Sequence, residues 1–334
     1  LCNGNIAIGC KAFYGDSDSG YGTYGYGVNN IAIGQETLYC NHCGAYNVAQ
    51  GYKALCKNAD GCDNIGIGRE ARGSTFCGNC NIAIGFQSLY DNSYGCSNIA
   101  LGEYAGYCSN NGCGNIAIGC KAAYYGTRCT GMYNIALGIK ALYGSTTSNF
   151  SCGNIAQGYC SMYCNVNGCY NVALGAYSLL CNTSGYNNVA IGYTALKCNT
   201  TGYYNIGIGV NAMYGNTSGI YNVAVGVNAL LRNTTGCYNT AVGHNALRCT
   251  DTGTGNTAVG LNTLYNNVSG CYNVAIGHYA SFSNTGGSNN FAAGYQALCS
   301  NTTGTDNFAA GNSALYCNTG GTGNVAIGCC ALYK

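Results

Sequence analysis

One five-residue motif recurs along the whole chain and constrains its fold more than any other feature: asparagine, bulky apolar, alanine, bulky apolar, glycine. Glycine replaces the alanine only at Gly66 and Gly207. Fifteen of the eighteen steps between successive motif asparagines follow the same 17-residue period. A strict repeat below about 20 residues is too short for a pair of helices and suits one coil of a β-solenoid. The nineteen motif asparagines are Asn5, Asn30, Asn47, Asn64, Asn81, Asn98, Asn115, Asn134, Asn154, Asn171, Asn188, Asn205, Asn222, Asn239, Asn256, Asn273, Asn290, Asn307 and Asn324.

Each repeat is predicted to contain two short strands, with positions numbered from the motif glycine. Bulky and small residues alternate before the glycine, and a small residue followed by leucine comes after it, as at 54–55 and 88–89. Such alternation is typical of strands. It predicts that the bulky residues at −3, −1 and +4 fill the interior and that the alanine at −2 faces outward. Those small residues would then face either a neighbouring chain or the opposite wall of a very flat coil.

A polar turn, Asn-Thr-Thr-Gly or a relative, completes the repeat, as at 199–202 and 233–236. Asparagine initiates such turns through its side chain, and glycine accepts positive φ. The motif asparagines are predicted to form a stacked ladder at a corner, with amides bonding between coils. A ligand-binding row of asparagines is the alternative.

These features predict an all-β fold, a parallel β-solenoid (β-roll) of about 19 coils with a 17-residue repeat. The array is predicted to run continuously over 1–334, with an inserted loop at 15–28 and slightly longer coils around 120–154. At the ~4.8 Å spacing of paired strands, the coils would form a rod of roughly 90 Å.

The element Asn-Ile-Ala-Ile-Gly, present at 5–9, 30–34, 81–85 and 115–119, resembles the head repeats of trimeric autotransporter adhesins, the YadA-like heads. It also resembles the Asn-x-Ala-x-Gly-x-x-Ala-Leu repeats of phage and large-virus fibre proteins. The resemblance covers nearly the whole chain and implies a left-handed parallel β-roll, three chains side by side, that binds host surfaces. The coil here is longer by the polar turn, is rich in cysteine, and shows no neck or heptad stalk. Trimerisation and membrane anchoring are therefore not carried over.

The composition argues against several classes of function. Only 7% of the residues are charged and the net charge is +2, so no basic surface for nucleic acid is expected. The sequence contains no run of about 18 apolar residues, so no membrane-spanning helix is predicted. A disordered low-complexity chain is excluded because the apolar residues recur at fixed positions. The chain has three histidines and no repeating acid–base cluster, so no enzyme, cofactor or metal site is predicted.

Twenty-six cysteines in 334 residues favour an oxidising compartment. Many of them lie on the two sides of the polar turn. Disulfides are predicted either across one turn, or between adjacent coils, since one rung is within the Cα range of a disulfide. Zinc binding by the Cys-x-x-Cys pairs at 40–43 and 77–80 is the rival interpretation. The candidate disulfide residues are Cys108, Cys113, Cys164, Cys169, Cys181, Cys198, Cys237 and Cys249.

Seven asparagines lie in Asn-x-Ser/Thr sequons, which either only form turns or carry N-glycans. They are Asn149, Asn182, Asn199, Asn216, Asn233, Asn267 and Asn301.

Both ends of the chain are motif sequence without a polar cap, which predicts head-to-tail stacking into a filament, with truncation of a longer fibre protein as the alternative. We expect a structural subunit of an extracellular or virion-surface fibre that assembles with copies of itself and is stabilised by disulfides. The alternative is a trimeric adhesin or receptor-binding fibre segment that recognises a surface glycan or protein. A remote alternative is an ice-binding solenoid. The expected location is extracellular, at a cell surface or at a virion surface.

Overall fold

The computed structural model describes residues 4–14, 27–74, 76–125, 131–145 and 150–334. The fold is all-β, and within the described ranges no helix occurs. Each motif forms one three-residue strand, and the strands pair in parallel at the 17-residue spacing of the repeat. The prediction of a parallel β-solenoid is therefore confirmed. Most of the predicted inserted loop, residues 15–26, and parts of the longer coils, residues 126–130 and 146–149, lie outside the described residues.

The chain divides into two compact units, Leu1–Tyr170 and Asn171–Lys334, so the single continuous array stays a prediction. In the first unit the strands are β1 (Ile6–Ile8), β2 (Ile31–Ile33), β3 (Val48–Gln50), β4 (Ile65–Ile67), β5 (Ile82–Ile84), β6 (Ile99–Leu101), β7 (Ile116–Ile118), β8 (Ile135–Leu137) and β9 (Ile155–Gln157). In the second unit they are β10 (Val172–Leu174), β11 (Val189–Ile191), β12 (Ile206–Ile208), β13 (Val223–Val225), β14 (Thr240–Val242), β15 (Thr257–Val259), β16 (Val274–Ile276), β17 (Phe291–Ala293), β18 (Phe308–Ala310) and β19 (Val325–Ile327).

The facing of the strand residues is the reverse of the predicted one. In β11 the central Ala190 is fully buried, whereas Ile191 is 36% exposed and Val189 is half-buried. The same pattern recurs in nearly every strand, so the prediction that the −3 and −1 residues fill the interior is wrong. The prediction for +4 is confirmed, because Leu196 is fully buried. The small residues therefore face the interior, where alanine lets the opposite walls of a thin coil approach each other.

The prediction of a second strand after the motif glycine is also wrong, because those positions form turns in the described coils. Asn228 and Leu230, at +2 and +4, have φ angles of 57° and 50°. These values lie in the left-handed region, which is incompatible with a strand. The chain bends at these positions, which brings Leu230 into the interior although no strand alternation places it there.

The glycine that ends the polar turn is required for a different reason from the predicted one. Gly236 is not among the residues with positive φ. A Cβ on it would lie 2.3 Å from Oδ1 of Asn233 and 2.4 Å from the carbonyl oxygen of Gly253 in the next coil. The position therefore needs glycine because there is no room for a side chain between adjacent coils.

Candidate association face and side-chain ladders

The motif asparagines form a buried column in each unit. Asn47 is fully buried, and its Nδ2 donates to Oδ1 of Asn30 at 3.0 Å and to the carbonyl of Gly61 at 2.8 Å. Its backbone N–H donates to the same Oδ1 at 2.9 Å. Each carboxamide thus satisfies buried groups in the coils on both sides. This arrangement is a structural ladder, and its atoms are already occupied by one another.

The polar-turn asparagines form a second buried column, and six of the seven sequons belong to it. Asn199 is fully buried, and its Nδ2 donates to Oδ1 of Asn182 at 2.9 Å and to the carbonyl of Gly202 at 3.0 Å. An N-glycan would replace one hydrogen of that nitrogen and would have to occupy the closed interior. The fold therefore argues against glycans on Asn182, Asn199, Asn216, Asn233, Asn267 and Asn301, whose exposure is 0–1%. Asn149 lies outside the described residues.

The coil that follows β4 has Thr75 in place of the turn asparagine, and an arginine from the leucine position takes over the hydrogen bonds of that asparagine. Arg72 stands at +4 and is fully buried. Its guanidinium donates to Oδ1 of Asn58 at 3.2 Å and to the carbonyl of Gly78 at 2.7 Å. Those are the acceptors that a turn asparagine would use. Burial lowers the pKa of Arg72 to about 9, because the interior disfavours the charged form. No sequence signal other than a charged residue in a leucine column could have marked this role.

The outward side of the strands presents an extended apolar surface in each unit. At −3 and −1 the residues are mostly isoleucine, valine or leucine, and none of the nineteen strands carries a charged residue. Exposed fractions of 38% for Val242 and 46% for Ile276 are typical of this face. A parallel strand with one bare aliphatic face is unusual, since such strands are normally covered on both sides. We call these outward −3 and −1 residues the aliphatic face.

Tyrosines at +5 stack along the turn side of the first unit. Tyr90, Tyr107, Tyr124, Tyr143 and Tyr163 form a column with ring centroids 4.7–5.4 Å apart and planes within 9° of parallel. Burial in the column raises the pKa of Tyr107, Tyr124 and Tyr143 above the ordinary value of a phenol. The stack keeps its register through the longer coils, so their extra residues come after +5 in the sequence.

Among the described cysteines, two pairs of sulfurs from adjacent coils lie about 3 Å apart. Sγ of Cys96 is 3.0 Å from Sγ of Cys113, and Sγ of Cys152 is 2.8 Å from Sγ of Cys169. Cys96 and Cys152 are absent from the residues that the sequence singled out. The signal that could have found them was a separation of one full repeat from Cys113 and Cys169, at one fixed position of the coil.

The other predicted disulfide residues lie in varied surroundings. Cys108, Cys164, Cys181, Cys198, Cys237 and Cys249 are half-buried. Burial and then the neighbouring Cys181 raise the pKa of Cys198. Sγ of Cys237 contacts the carbonyl of Thr235 at 3.2 Å, and Cys249 lines an open groove with Tyr214 and Arg232.

Within the described part of the chain, no three or more histidine, cysteine, aspartate or glutamate side chains come together as a metal site. A search of those same residues finds no helix of the length and apolarity needed to cross a bilayer.

The fold and these ladders define the chain as a β-solenoid repeat protein. Each of its strands belongs to one short coil. Within that class the comparisons place the chain no further: no protein-family model and no curated protein matches its sequence.

Proposed function

We propose that this chain is a structural, non-catalytic subunit of an extracellular or virion-surface fibre, and that its copies associate side by side through the aliphatic face. The observation that carries the proposal is the facing of the strands. Alanine occupies the interior in most coils, and the larger side chains beside it are mostly half-buried or exposed on the outward side.

The extent of the face supports association between proteins. In the second unit ten strands stack at ~4.8 Å, and three residues span ~10 Å, so the strand face covers about 500 Å². The largest exposed apolar patch on a monomeric protein is typically about 300–600 Å² and is often functional. Burying aliphatic groups is favourable by about 25 cal/mol per Å², and no charge on the strands opposes it.

A second copy is the occupant that fits best. The face repeats every coil, so another copy in register presents the same spacing of side chains along its whole length. The number of chains abreast is part of the test.

The experiment measures the mass of the full-length protein in solution, by light scattering after size exclusion and by sedimentation. The single chain has a mass of 34.4 kDa, and the wild-type protein is expected at a multiple of that value. Ile191→Lys with Val242→Lys places two charges on the aliphatic face and should shift the mass to that of one chain. Val268→Lys is the matched control, because Val268 is 44% exposed but belongs to the turn side.

The proposal fails if the wild-type protein is a monomer at high concentration, or if the Ile191→Lys, Val242→Lys variant associates as the control does. Circular dichroism of both variants separates lost association from lost folding.

The alternative of an adhesin that recognises a surface glycan is favoured by one observation, the tyrosine column from Tyr90 to Tyr163. Flat aromatic rings provide stacking surfaces for sugars as well as for one another. A glycan array with the full-length protein tests it, and loss of binding in Tyr107→Ala without loss of association would support it. The ice-binding alternative needs outward threonine ranks, and the strands offer threonine only at Thr240 and Thr257.

A further inference from the structure

The two close cysteine pairs have the same local geometry, although they lie in different parts of the first unit. In each pair both residues stand two positions before a motif asparagine, in adjacent coils. The backbone N–H of Cys96 donates to Sγ of Cys113 at 3.2 Å, and that of Cys152 donates to Sγ of Cys169 at 3.2 Å. This hydrogen bond directs the second sulfur toward the first. The sulfur–sulfur distances of 3.0 and 2.8 Å leave a movement of about 1 Å to reach the ~2.05 Å of a disulfide bond.

Their positions along the repeat set these pairs apart from the other cysteines. Cys113 comes directly before the coil that begins at Asn115, and Cys152 closes the coil that begins at Asn134. These are two of the three coils that exceed the regular period, with 19-residue and 20-residue steps to the next motif asparagine; the third is the coil that begins at Asn5. The pairs therefore stand on the two sides of the irregular coils that begin at Asn115 and Asn134. In an array whose coils contact only their neighbours, stability is a sum over local interfaces, so an irregular coil is where opening starts most easily.

We propose that Cys96–Cys113 and Cys152–Cys169 are paired modification sites, at which a small-molecule disulfide such as oxidised glutathione forms two inter-coil disulfides, one at each end of the stretch formed by these irregular coils. In the first step one thiolate attacks the small disulfide, forming a mixed disulfide and releasing one small thiol. In the second step the partner thiolate attacks the protein sulfur of the mixed disulfide and releases the second small thiol. The pair loses two electrons and two protons, and the small disulfide gains them.

Protonation makes this reaction slow at neutral pH. Burial raises the pKa of the Cys169 thiol to about 11, and the hydrogen bond that the Cys96 thiol donates to Cys113 raises the pKa of Cys96. Because the thiolate is the reacting species, the clamp closes faster as the pH rises above neutral.

The chain contains a control pair for the same position of the repeat. Cys237 and Cys271 also stand two residues before a motif asparagine, but Thr254 occupies that position in the coil between them. Their separation is two rungs, about 9.6 Å, which is beyond the Cα range of ~4.4–6.8 Å for a disulfide. This pair should stay reduced under the same conditions.

Serine is accepted at this position, so serine variants are expected to fold. Ser288 stands two residues before Asn290, and its Oγ accepts the backbone N–H of Cys271 at 3.0 Å. The hydroxyl thus takes the same hydrogen bond that Sγ of Cys113 takes.

The test uses the full-length protein, fully reduced and then incubated with oxidised glutathione, with free thiols alkylated before chymotryptic digestion and mass spectrometry. Cleavage after tyrosine and phenylalanine gives peptides 95–104 and 108–124 for the first pair, and 151–159 and 164–170 for the second. We expect two cross-linked species, 95–104 with 108–124 and 151–159 with 164–170, each lost on reduction. Fragmentation should locate the bridges at Cys113 and Cys169.

Serine variants separate this connectivity from bridges across one turn. Both cross-links should persist in the Cys108→Ser, Cys164→Ser protein. The first should be lost in Cys96→Ser, and the second in Cys152→Ser. Bridges from Cys108 to Cys113 and from Cys164 to Cys169 would overturn the proposal. So would oxidation of Cys237 with Cys271 to the same extent as the two pairs, since it would show that oxidation is unselective.

Discussion

Removal of one carboxamide from the motif ladder should loosen the coils on both sides of it. In the second unit, Nδ2 of Asn222 donates to Oδ1 of Asn205 at 3.1 Å and to the carbonyl of Gly236 at 2.8 Å. Its Oδ1 accepts the backbone N–H of Asn239 at 3.0 Å. Asn222→Ala removes all three contacts at a fully buried position.

The free-energy cost of Asn222→Ala depends on which of the surrounding groups keep a hydrogen-bond partner. Oδ1 of Asn205 keeps the backbone N–H of Asn222, and the Gly236 carbonyl keeps Nδ2 of Asn233. The N–H of Asn239 loses its acceptor in a buried place, which costs about 1–3 kcal/mol, and the two lost donations add about 1 kcal/mol each. The variant should therefore lose about 3–5 kcal/mol of local stability.

Hydrogen–deuterium exchange is the suitable assay, because a one-dimensional array opens locally and a single unfolding midpoint would average over its coils. At about 1.36 kcal/mol per factor of ten, amides around Asn222 and Asn239 should exchange about 100- to 5,000-fold faster than in the wild-type protein. Asn167→Ala is the control, since Asn167 is exposed in its turn. If exchange near Asn222 changes no more than exchange near Asn167 does in the control, the ladder does not stabilise the coils as argued.

Three further perturbations test other parts of the fold. Ala190→Val should destabilise its coil by about 1–3 kcal/mol through overpacking, whereas Ile191→Val on the outward side should change the stability of that coil little, as measured by hydrogen–deuterium exchange. Equal effects would contradict the assigned facing. Arg72→Ala leaves Oδ1 of Asn58 without the guanidinium donor and opens a cavity, so amide exchange in that coil should rise at least tenfold. Unchanged exchange would refute the inference that Arg72 replaces the turn asparagine as a hydrogen-bond donor. Burial raises the pKa of the Cys56 thiol to about 11, above the ~8.5 of an unfolded cysteine, so the folded state holds its proton longer and stability should fall from about pH 8.5 to 11; a Cys56→Ser protein should lose less stability over that range.

The 17-residue period predicted the solenoid because a repeat of that length is too short for a pair of helices and suits one coil of a β-solenoid. The facing of the strand was open to the same reasoning, yet it was predicted wrongly. Asn188 and Ala190 are two residues apart, so they point to one side of the strand. Because a carboxamide ladder is shielded from water only inside the coil, the alanine had to be inside as well.

Other features depend on geometry that a pattern of residue types does not carry. Leu230 has a left-handed φ of 50°, which its residue type disfavours, and small-then-leucine alternation resembles a strand. The choice between Cys108 and Cys96 as the neighbour of Cys113 depends on small differences in side-chain position. The takeover of the turn hydrogen bonds by Arg72 needs the length and direction of one particular side chain.

The left-handed bends have a consequence for the evolution of the sequence and length of such a chain. At +2 the backbone holds φ near 55° in coil after coil, with Asn211, Asn228, Asn245 and Asn262 in succession in the second unit. Asparagine tolerates this conformation better than most residues, so in this stretch the backbone restricts the choice of residue even where the side chain is partly exposed. Duplication of a whole coil preserves every one of these backbone angles, whereas insertion of one residue changes the angle required at each position up to the next turn. The array is therefore suited to lengthening by complete repeats, and single-residue insertions should persist only in the polar turn.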